Sequence, residues 1–156
     1  VIPEDRRMLT PTVRDLANQL QAEFFALEEG SESLVESVMI GGWFLDQGAY
    51  VFSRRDNKAV LVRGDRPDLQ MAALQTSTNC LVLTGSQLPI QYVVYEAEQE
   101  KVPILLCQGT TTENMEKLHT LNERVGVHHL TKVQRYVELL EENSDIGELY
   151  ANLGLS

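Results

Sequence analysis

The chain has 156 residues, of which 43% are hydrophobic and 23% are charged, and its formal net charge is −10 at pH 7. This length and composition predict one soluble globular domain with a core of its own. The acidic balance argues against nonspecific binding to nucleic acid or to an anionic membrane, and no apolar run approaches the ~20 residues of a membrane span.

The first nine residues predict the end of a preceding domain or a linker. The chain begins with Val1, and Ile2 followed by Pro3 is typical of a strand that runs into a linker. The stretch up to Arg7 lacks the apolar segment of a signal peptide. We therefore expect residues 1–9 to be the end of such a segment and the chain to be a fragment of a larger protein.

From residue 10 onward, short apolar runs alternate with stretches that have helical periodicity. Strands are expected at residues 22–27, 34–40, 58–63, 79–84 and 103–107. Helices are expected at residues 12–20, 44–52, 65–76, 90–101 and 112–124. This alternation predicts an α/β domain in three layers, with helices on both sides of a mostly parallel sheet. We assign this domain to residues 10–124.

The last part of the chain, residues 125–156, predicts a C-terminal helical extension. A longer helix is expected at residues 127–141, and Ser144 can cap a short helix at residues 145–153. The apolar residues of the longer helix recur with 3-4-3 spacing, at Leu130, Val133, Val137 and Leu140. Because a thin helix cannot bury such a seam alone, we expect it to pack on a partner subunit or on a part of the larger protein outside this chain, and of these we predict a homo-oligomer.

Three loops follow the ends of predicted strands and lead into predicted helices. Because open α/β sheets bind their ligands outside the carboxyl ends of the strands, we expect these loops to hold any ligand or interface contact. The candidate residues are Gly64, Asp65 and Arg66 in the first loop, Thr84, Gly85 and Ser86 in the second, and Gly109 and Thr110 in the third.

Each of these loops also has a purely structural interpretation. Asp65 can cap the following helix, with Asp68 returning a bond three residues later, and the two carboxylates would then repel an anion. Residues 84–86 can be a plain tight turn, or a phosphate site that uses their hydroxyls. In the third loop, Thr111 or Thr112 can cap the next helix, or the hydroxyls can bind an anion.

The sequence contains no recognisable catalytic or metal-binding motif. It lacks the sequences G-x-x-x-x-G-K-[ST], G-x-G-x-x-G and G-x-S-x-G, so it gives no support to a complete nucleotide motif or to acyl transfer. Cys80 and Cys107 are expected to be buried thiols in a reducing cytoplasm, with a disulfide or metal pair as the alternative. The three histidines are His119, His128 and His129, and the adjacent pair lacks the i, i+4 spacing of helical metal ligands, so we expect surface or helix-start histidines in preference to a metal site. We expect no catalytic residue, metal or cofactor.

The two central turns and the strands before them resemble the DRTGG domain family. Asp65-Arg66 and Thr84-Gly85 look like the two halves of the motif that names this family. The flanking runs at residues 59–66, 70–74 and 80–85 fit the family pattern, and residues 102–105 resemble its last strand. The resemblance covers residues 10–123.

The chain departs from the family pattern at two positions. Ser86 stands where the family usually has a second glycine, and Gln108-Gly109 stands where relatives often have an acidic residue.

The resemblance implies a domain that is not itself catalytic and that is associated with oligomerisation and allosteric control. Such domains occur in phosphate acetyltransferases after a P-loop domain similar to dethiobiotin synthetase, and beside CBS domains in regulated pyrophosphatases. The resemblance therefore implies a fused or associated P-loop domain. Our leading hypothesis is a non-catalytic regulatory and dimerisation module of a phosphotransacetylase-like protein. The alternative is a small-molecule sensor that binds a nucleotide or an acyl-phosphate at the three loops.

Overall fold

The structure, a computed structural model, describes residues 5–42, 48–121 and 129–143. Within these residues the sheet has five strands: β1 (Glu23–Ala26), β2 (Ser37–Gly41), β3 (Lys58–Arg63), β4 (Thr78–Thr84) and β5 (Ile104–Cys107). Their order is β1-β5-β4-β3-β2. Strand β1 pairs antiparallel with β5, whereas the other neighbours are parallel. The expected mostly parallel sheet is therefore confirmed.

Six α-helices are described: α1 (Val13–Leu20), α2 (Gly48–Phe52), α3 (Pro67–Leu74), α4 (Gln91–Glu100), α5 (Thr111–Leu118) and α6 (Leu130–Asn143). Two 3-10 turns lie at Arg6–Leu9 and Glu28–Glu32. None of these helices is both long and apolar enough to cross a lipid bilayer. The described residues fall into two compact units, one within Thr10–Val125 and one built from both ends of the chain.

The three layers follow from the alternating side chains of β3 and β4. Ala59 and Leu61 face a core that includes α1, whereas Val60 and Val62 face a core that includes Phe52 of α2 and the buried residues of α3 and α4. Strands of a parallel sheet are covered on both faces, so such strands are apolar throughout. For this reason the sequence of β3 is a nearly continuous apolar run. The strand begins and ends at the expected residues, 58 and 63.

Helix α1 begins with a complete capping box. The hydroxyl of Thr12 accepts a hydrogen bond from the N–H of Asp15, and the carboxylate of Asp15 accepts one from the N–H of Thr12. Thr12 is therefore the N-cap of α1. The apolar face of this helix, formed by Val13, Leu16 and Leu20, is fully buried.

The expected start of the helix that follows β3 is wrong. Helix α3 begins at Pro67 and not at Asp65, and its N-cap, Arg66, makes no side-chain capping bond. Proline is favoured at the first helical position because its φ is already helical and it has no N–H to satisfy. In α4 the buried residues are Val93 and Ala97, whereas Tyr95 is 55% exposed.

The unit built from the chain ends contains α6 and the 3-10 turn at Arg6–Leu9. Asp5 accepts hydrogen bonds from Arg7 at 2.8 Å and from Arg135 of α6 at 2.8 Å. The guanidinium of Arg7, and next that of Arg135, hold the pKa of the Asp5 carboxyl well below its usual range. The expected helix at residues 127–141 is described from Leu130 onward. The expected helix at residues 145–153 lies outside the described residues.

Candidate functional site

The carboxyl ends of three neighbouring strands lie side by side. Arg63 of β3 pairs in register with Thr84 of β4, and Thr84 pairs with Cys107 of β5. Beyond the strands, the N–H of Gly64 donates to the carbonyl of Thr84 at 2.9 Å, and the N–H of Gly85 donates to the carbonyl of Gly109 at 3.0 Å. The three candidate loops are therefore tied to one another by main-chain hydrogen bonds.

Glycine is required in these loops for two different reasons. At Gly64 an added Cβ would lie inside the van der Waals radius of the main-chain carbonyl of Gln87, so the two loops approach too closely for a side chain. Gly85 and Gly109 have φ angles of +85° and +83°, which glycine adopts far more readily than other residues. The first glycine permits a close approach of two loops, and the other two permit the turns themselves.

The side chain of Gln70, on α3, forms hydrogen bonds with the main chain of the first loop. It is fully buried, and its Nε2 donates to the main-chain carbonyls of Arg63 at 2.9 Å and Gly64 at 3.1 Å. A buried carbonyl without a donor is costly, so this amide stabilises the turn that ends β3. Its own Oε1 is buried without a partner among the described residues.

The three loops line a cavity of about 500 Å³, which we call the strand-end cavity. Its volume is in the range of small-molecule sites. Asp65, Thr84, Gly85, Ser86, Gly109 and Thr110, which the sequence places at strand ends, all line it. The other described lining residues are Arg63, Gln87, Thr111 and Thr112.

Two of the candidate residues do not line the strand-end cavity. Gly64 supports its wall through the approach to Gln87, and Arg66 lines a neighbouring cavity. Conversely, the sequence interpretation missed Arg63, because the end of a strand does not reveal which way its last side chain points. A signal existed in the pattern, since Arg63 is the polar residue that ends the apolar run of β3.

Helix α5 starts at the edge of the strand-end cavity and is capped by Thr110. The Thr110 hydroxyl accepts from the N–H of Glu113, and the N–H of Thr110 donates to the Glu113 carboxylate at 2.7 Å. These bonds lower the pKa of the Glu113 carboxyl. The expected cap at Thr111 or Thr112 is therefore wrong by one or two residues. Thr111 instead bonds to Thr84, with their hydroxyl oxygens 2.9 Å apart.

Replacing Thr110 with alanine tests this cap. We expect the free energy of unfolding to fall by about 0.5–2 kcal/mol, because the N–H of Glu113 loses its acceptor. Thr112→Ala is the matched control, since that hydroxyl lies in the same helical turn and makes none of the capping bonds. Chemical denaturation measures both. Equal losses for the two variants would contradict the assignment of the cap.

The charges around the loops are paired locally. Asp65 forms an ion pair with Arg63, and Asp68 forms a two-pronged pair with Arg66 at 2.9 and 2.7 Å. The Arg66 guanidinium lowers the pKa of the Asp68 carboxyl. The expectation that Asp65 caps α3 is therefore wrong, and each carboxylate expected to repel an anion has an arginine beside it.

A second cavity, of about 660 Å³, adjoins the first, and we call it the β2–α5 cavity. It shares Arg63, Thr111 and Thr112 with the strand-end cavity. Its remaining described lining differs in character, because it includes apolar side chains and an additional arginine: Ile40, Gly41, Gly42, Arg66 and Met115.

The side chains of the strand-end cavity can bind a ligand but offer little for catalysis. They are hydroxyls, amides and one arginine–aspartate pair, without a histidine, lysine or cysteine among the described lining residues. The described part of the chain also has no group of histidine, cysteine or acidic residues arranged to hold a metal ion. Cys80 and Cys107 are free and buried, and burial raises the pKa of both thiols, that of Cys107 to about 12.

Comparison with known proteins identifies a matching family and a solved structure of similar fold. The model of the DRTGG domain family matches residues 15–121. A crystal structure of the CBS and DRTGG domains of the regulatory region of Clostridium perfringens pyrophosphatase, complexed with the activator diadenosine tetraphosphate, has a similar fold with a TM-score of 0.61 and 13% identity. The match covers 90% of this chain and 65% of that chain, and at this identity it shows a shared fold.

Proposed function

The chain belongs to the DRTGG domain family, since the family model matches residues 15–121, and from this premise we propose that it is a non-catalytic regulatory module. We further propose that it senses a phosphate-bearing small molecule in the strand-end cavity. This proposal rests on one observation. Both halves of the family motif line the same cavity, Asp65 from the first half and residues 84–85 from the second.

The chemistry of the strand-end cavity suits a phosphate group. Phosphate oxygens accept hydrogen bonds from hydroxyls and from the N–H groups at a helix start, and they pair strongly with arginine. Thr84, Ser86 and Arg63 supply two hydroxyls and a guanidinium. In the part of the chain that the structure describes, the N–H groups of Thr111 and Thr112 have no acceptor, as is general for the first turn of a helix.

The regulatory role is supported by the relatives of this fold. The similar crystal structure is itself a regulatory region, and it was obtained with a nucleotide activator. We propose by analogy that ligand binding here changes the behaviour of attached or associated domains, and that the chain itself performs no chemistry. Formation of acetyl-CoA from acetyl phosphate and CoA by the purified chain, above a control for contaminants, would contradict the second statement.

The direct test of the sensing function is calorimetric titration with tripolyphosphate. We expect binding to the unaltered chain, and we expect Arg63→Gln to weaken it at least about tenfold, because a guanidinium–phosphate pair is a strong charge-assisted contact. Arg55→Gln is the matched control, since Arg55 is exposed and lines neither cavity. Absence of binding at millimolar tripolyphosphate, or equal weakening by both variants, would refute the proposal.

The variant Asp65→Asn should have the opposite effect on affinity. In the free protein the Asp65 carboxylate is paired with the Arg63 guanidinium, so a ligand phosphate must compete with this carboxylate for the guanidinium. We expect tripolyphosphate to bind about 3- to 10-fold more tightly to the variant. The free energy of unfolding should change by less than about 1 kcal/mol, because an exposed ion pair contributes little to stability. Weaker binding would show that Asp65 contacts the ligand favourably.

A second candidate function is oligomerisation within a phosphotransacetylase-like protein, with a P-loop domain fused or associated. We propose that residues 10–124 form the regulatory domain and that residues 125–156 form an extension that pairs with a second copy. The specific observation that favours pairing is the exposure of Leu130, Val133 and Val137 on α6, at 71%, 48% and 44%. The two free, buried cysteines are compatible with a reducing compartment such as the cytoplasm.

Light scattering tests the oligomer. We expect a dimer or larger assembly at micromolar concentration, and we expect the double variant Val133→Glu and Val137→Glu to shift it to the monomer, because two charges in an apolar seam repel their copies across the interface. The control replaces Glu138 and Glu141 with glutamine on the same helix. A monomeric mass for the unaltered chain would rule out this role for α6.

A further inference from the structure

We propose that the ligand of this site is a nucleoside polyphosphate that spans both cavities, with its phosphates in the strand-end cavity and its base in the β2–α5 cavity. This inference rests on the proposed sensing function and adds the chemical class of the ligand. It favours a nucleotide over an acyl-phosphate.

The two cavities adjoin at one set of side chains. Arg63, Thr111 and Thr112 line both of them, so a ligand that passes from one cavity to the other stays in contact with the same guanidinium and the same helix start. With volumes of about 500 and 660 Å³, each cavity alone is in the range of small-molecule sites. An acyl-phosphate is small enough for the first cavity and would leave the second one empty.

The second cavity has the chemistry that binds an aromatic base. Ile40 and Met115 present apolar side chains that are 36% and 37% exposed. Methionine sulfur makes favourable contacts with aromatic rings, and a guanidinium plane stacks on them. The guanidinium of Arg66 is held by two hydrogen bonds to Asp68, at 2.9 and 2.7 Å, so its plane is already oriented before a ring arrives.

The two cavities suit different parts of a ligand, because their lining residues differ in chemistry. The strand-end cavity offers hydroxyls, glycine main chain and Arg63, which match phosphate oxygens. The β2–α5 cavity offers two apolar side chains, the main chain of Gly42 and the guanidinium of Arg66, which match a flat ring. A ligand that satisfies both needs a polyphosphate joined to an aromatic group, and nucleoside polyphosphates are that class.

The experiment compares ATP with tripolyphosphate by calorimetry in the presence of EDTA, on the full chain. We expect ATP to bind about tenfold more tightly, because only ATP reaches the second cavity. Met115→Ala should weaken ATP binding about fivefold, and Arg66→Lys, which keeps the charge but removes the planar guanidinium, should do the same. Neither variant should change the affinity for tripolyphosphate. Tyr95→Ala is the control, since this exposed aromatic residue lines neither cavity.

The outcomes separate this inference from the sensing function beneath it. If tripolyphosphate binds through Arg63 but ATP binds no more tightly, the nucleoside subsite is refuted and the phosphate site stands. If ATP is preferred but Met115→Ala and Arg66→Lys affect both ligands equally, the base lies elsewhere and the inference fails. If neither ligand binds, the sensing function and the inference fail together. If both variants weaken ATP binding and leave tripolyphosphate binding unchanged, the inference is supported.

Discussion

The variant Gly64→Ala is expected to lose about 2–4 kcal/mol of unfolding free energy and to bind tripolyphosphate weakly or not at all. The added methyl group would meet the main-chain carbonyl of Gln87. A side chain could rotate away from such a contact, but a carbonyl can move only with its loop. That loop is held in turn by the hydrogen bond between Gly64 and Thr84, so relief of the clash distorts the wall of the strand-end cavity.

Chemical denaturation and calorimetric titration measure the two parts of this prediction. Gly42→Ala is the matched control, because among the described residues no atom beyond its chain neighbours lies within 4 Å of an alanine Cβ there, and its effect on unfolding should stay within about 0.5 kcal/mol. A Gly64→Ala variant as stable as Gly42→Ala would mean that the two loops do not approach each other as described.

The second large effect is expected at Gln70. Gln70→Leu keeps the volume but removes the donor for the carbonyls of Arg63 and Gly64. Leaving a buried acceptor unsatisfied costs about 1–3 kcal/mol. The substitution leaves two carbonyls without this donor, and removal of the unpartnered Oε1 offsets part of that cost. We therefore expect a net loss of about 2–4 kcal/mol of unfolding free energy.

The variant Gln70→Glu should show the same defect with a dependence on pH. A buried carboxyl beside two carbonyls has a raised pKa, because its ionised form is poorly solvated and is repelled by them. The variant should therefore be most stable below the unfolded carboxyl pKa of about 4.3 and lose stability as the pH rises towards the folded pKa. Denaturation at pH 4 and pH 7 measures the difference. Gln91→Glu, at an exposed position, serves as the control, and equal pH dependence of the two variants would contradict the prediction.

The core strands were determined by the sequence itself. An apolar run such as Lys58–Arg63 can be stable only where both faces are covered, so its composition already indicates a central strand. The same logic identifies strand ends as places where loops and ligands meet. This is why Asp65, Gly85 and Gly109 could be chosen as candidates before their neighbours were known.

The expected helix caps were wrong at two of the loops, for different reasons. Asp65 stands two residues before Pro67 and satisfies the pattern of a helix cap, yet its carboxylate pairs with Arg63. Three successive threonines follow Gly109, and the expected cap at Thr111 or Thr112 overlooked a local signal, because only Thr110 has a glutamate three residues later, as a capping box requires. What the sequence does not indicate is the contact of Thr111 with Thr84 on the neighbouring strand.

The cavities themselves were decided only by the tertiary structure. The sequence shows that Arg63, Ile40 and Met115 end or lie within separate elements, and nothing in their spacing relates them. Parallel pairing of β2 with β3, and of β3 with β4, brings their carboxyl ends to one edge in a fixed register, and α5 begins beside that edge. Periodicity reports whether a position is buried, whereas a binding site depends on which distant residues share a surface, and register and packing decide that.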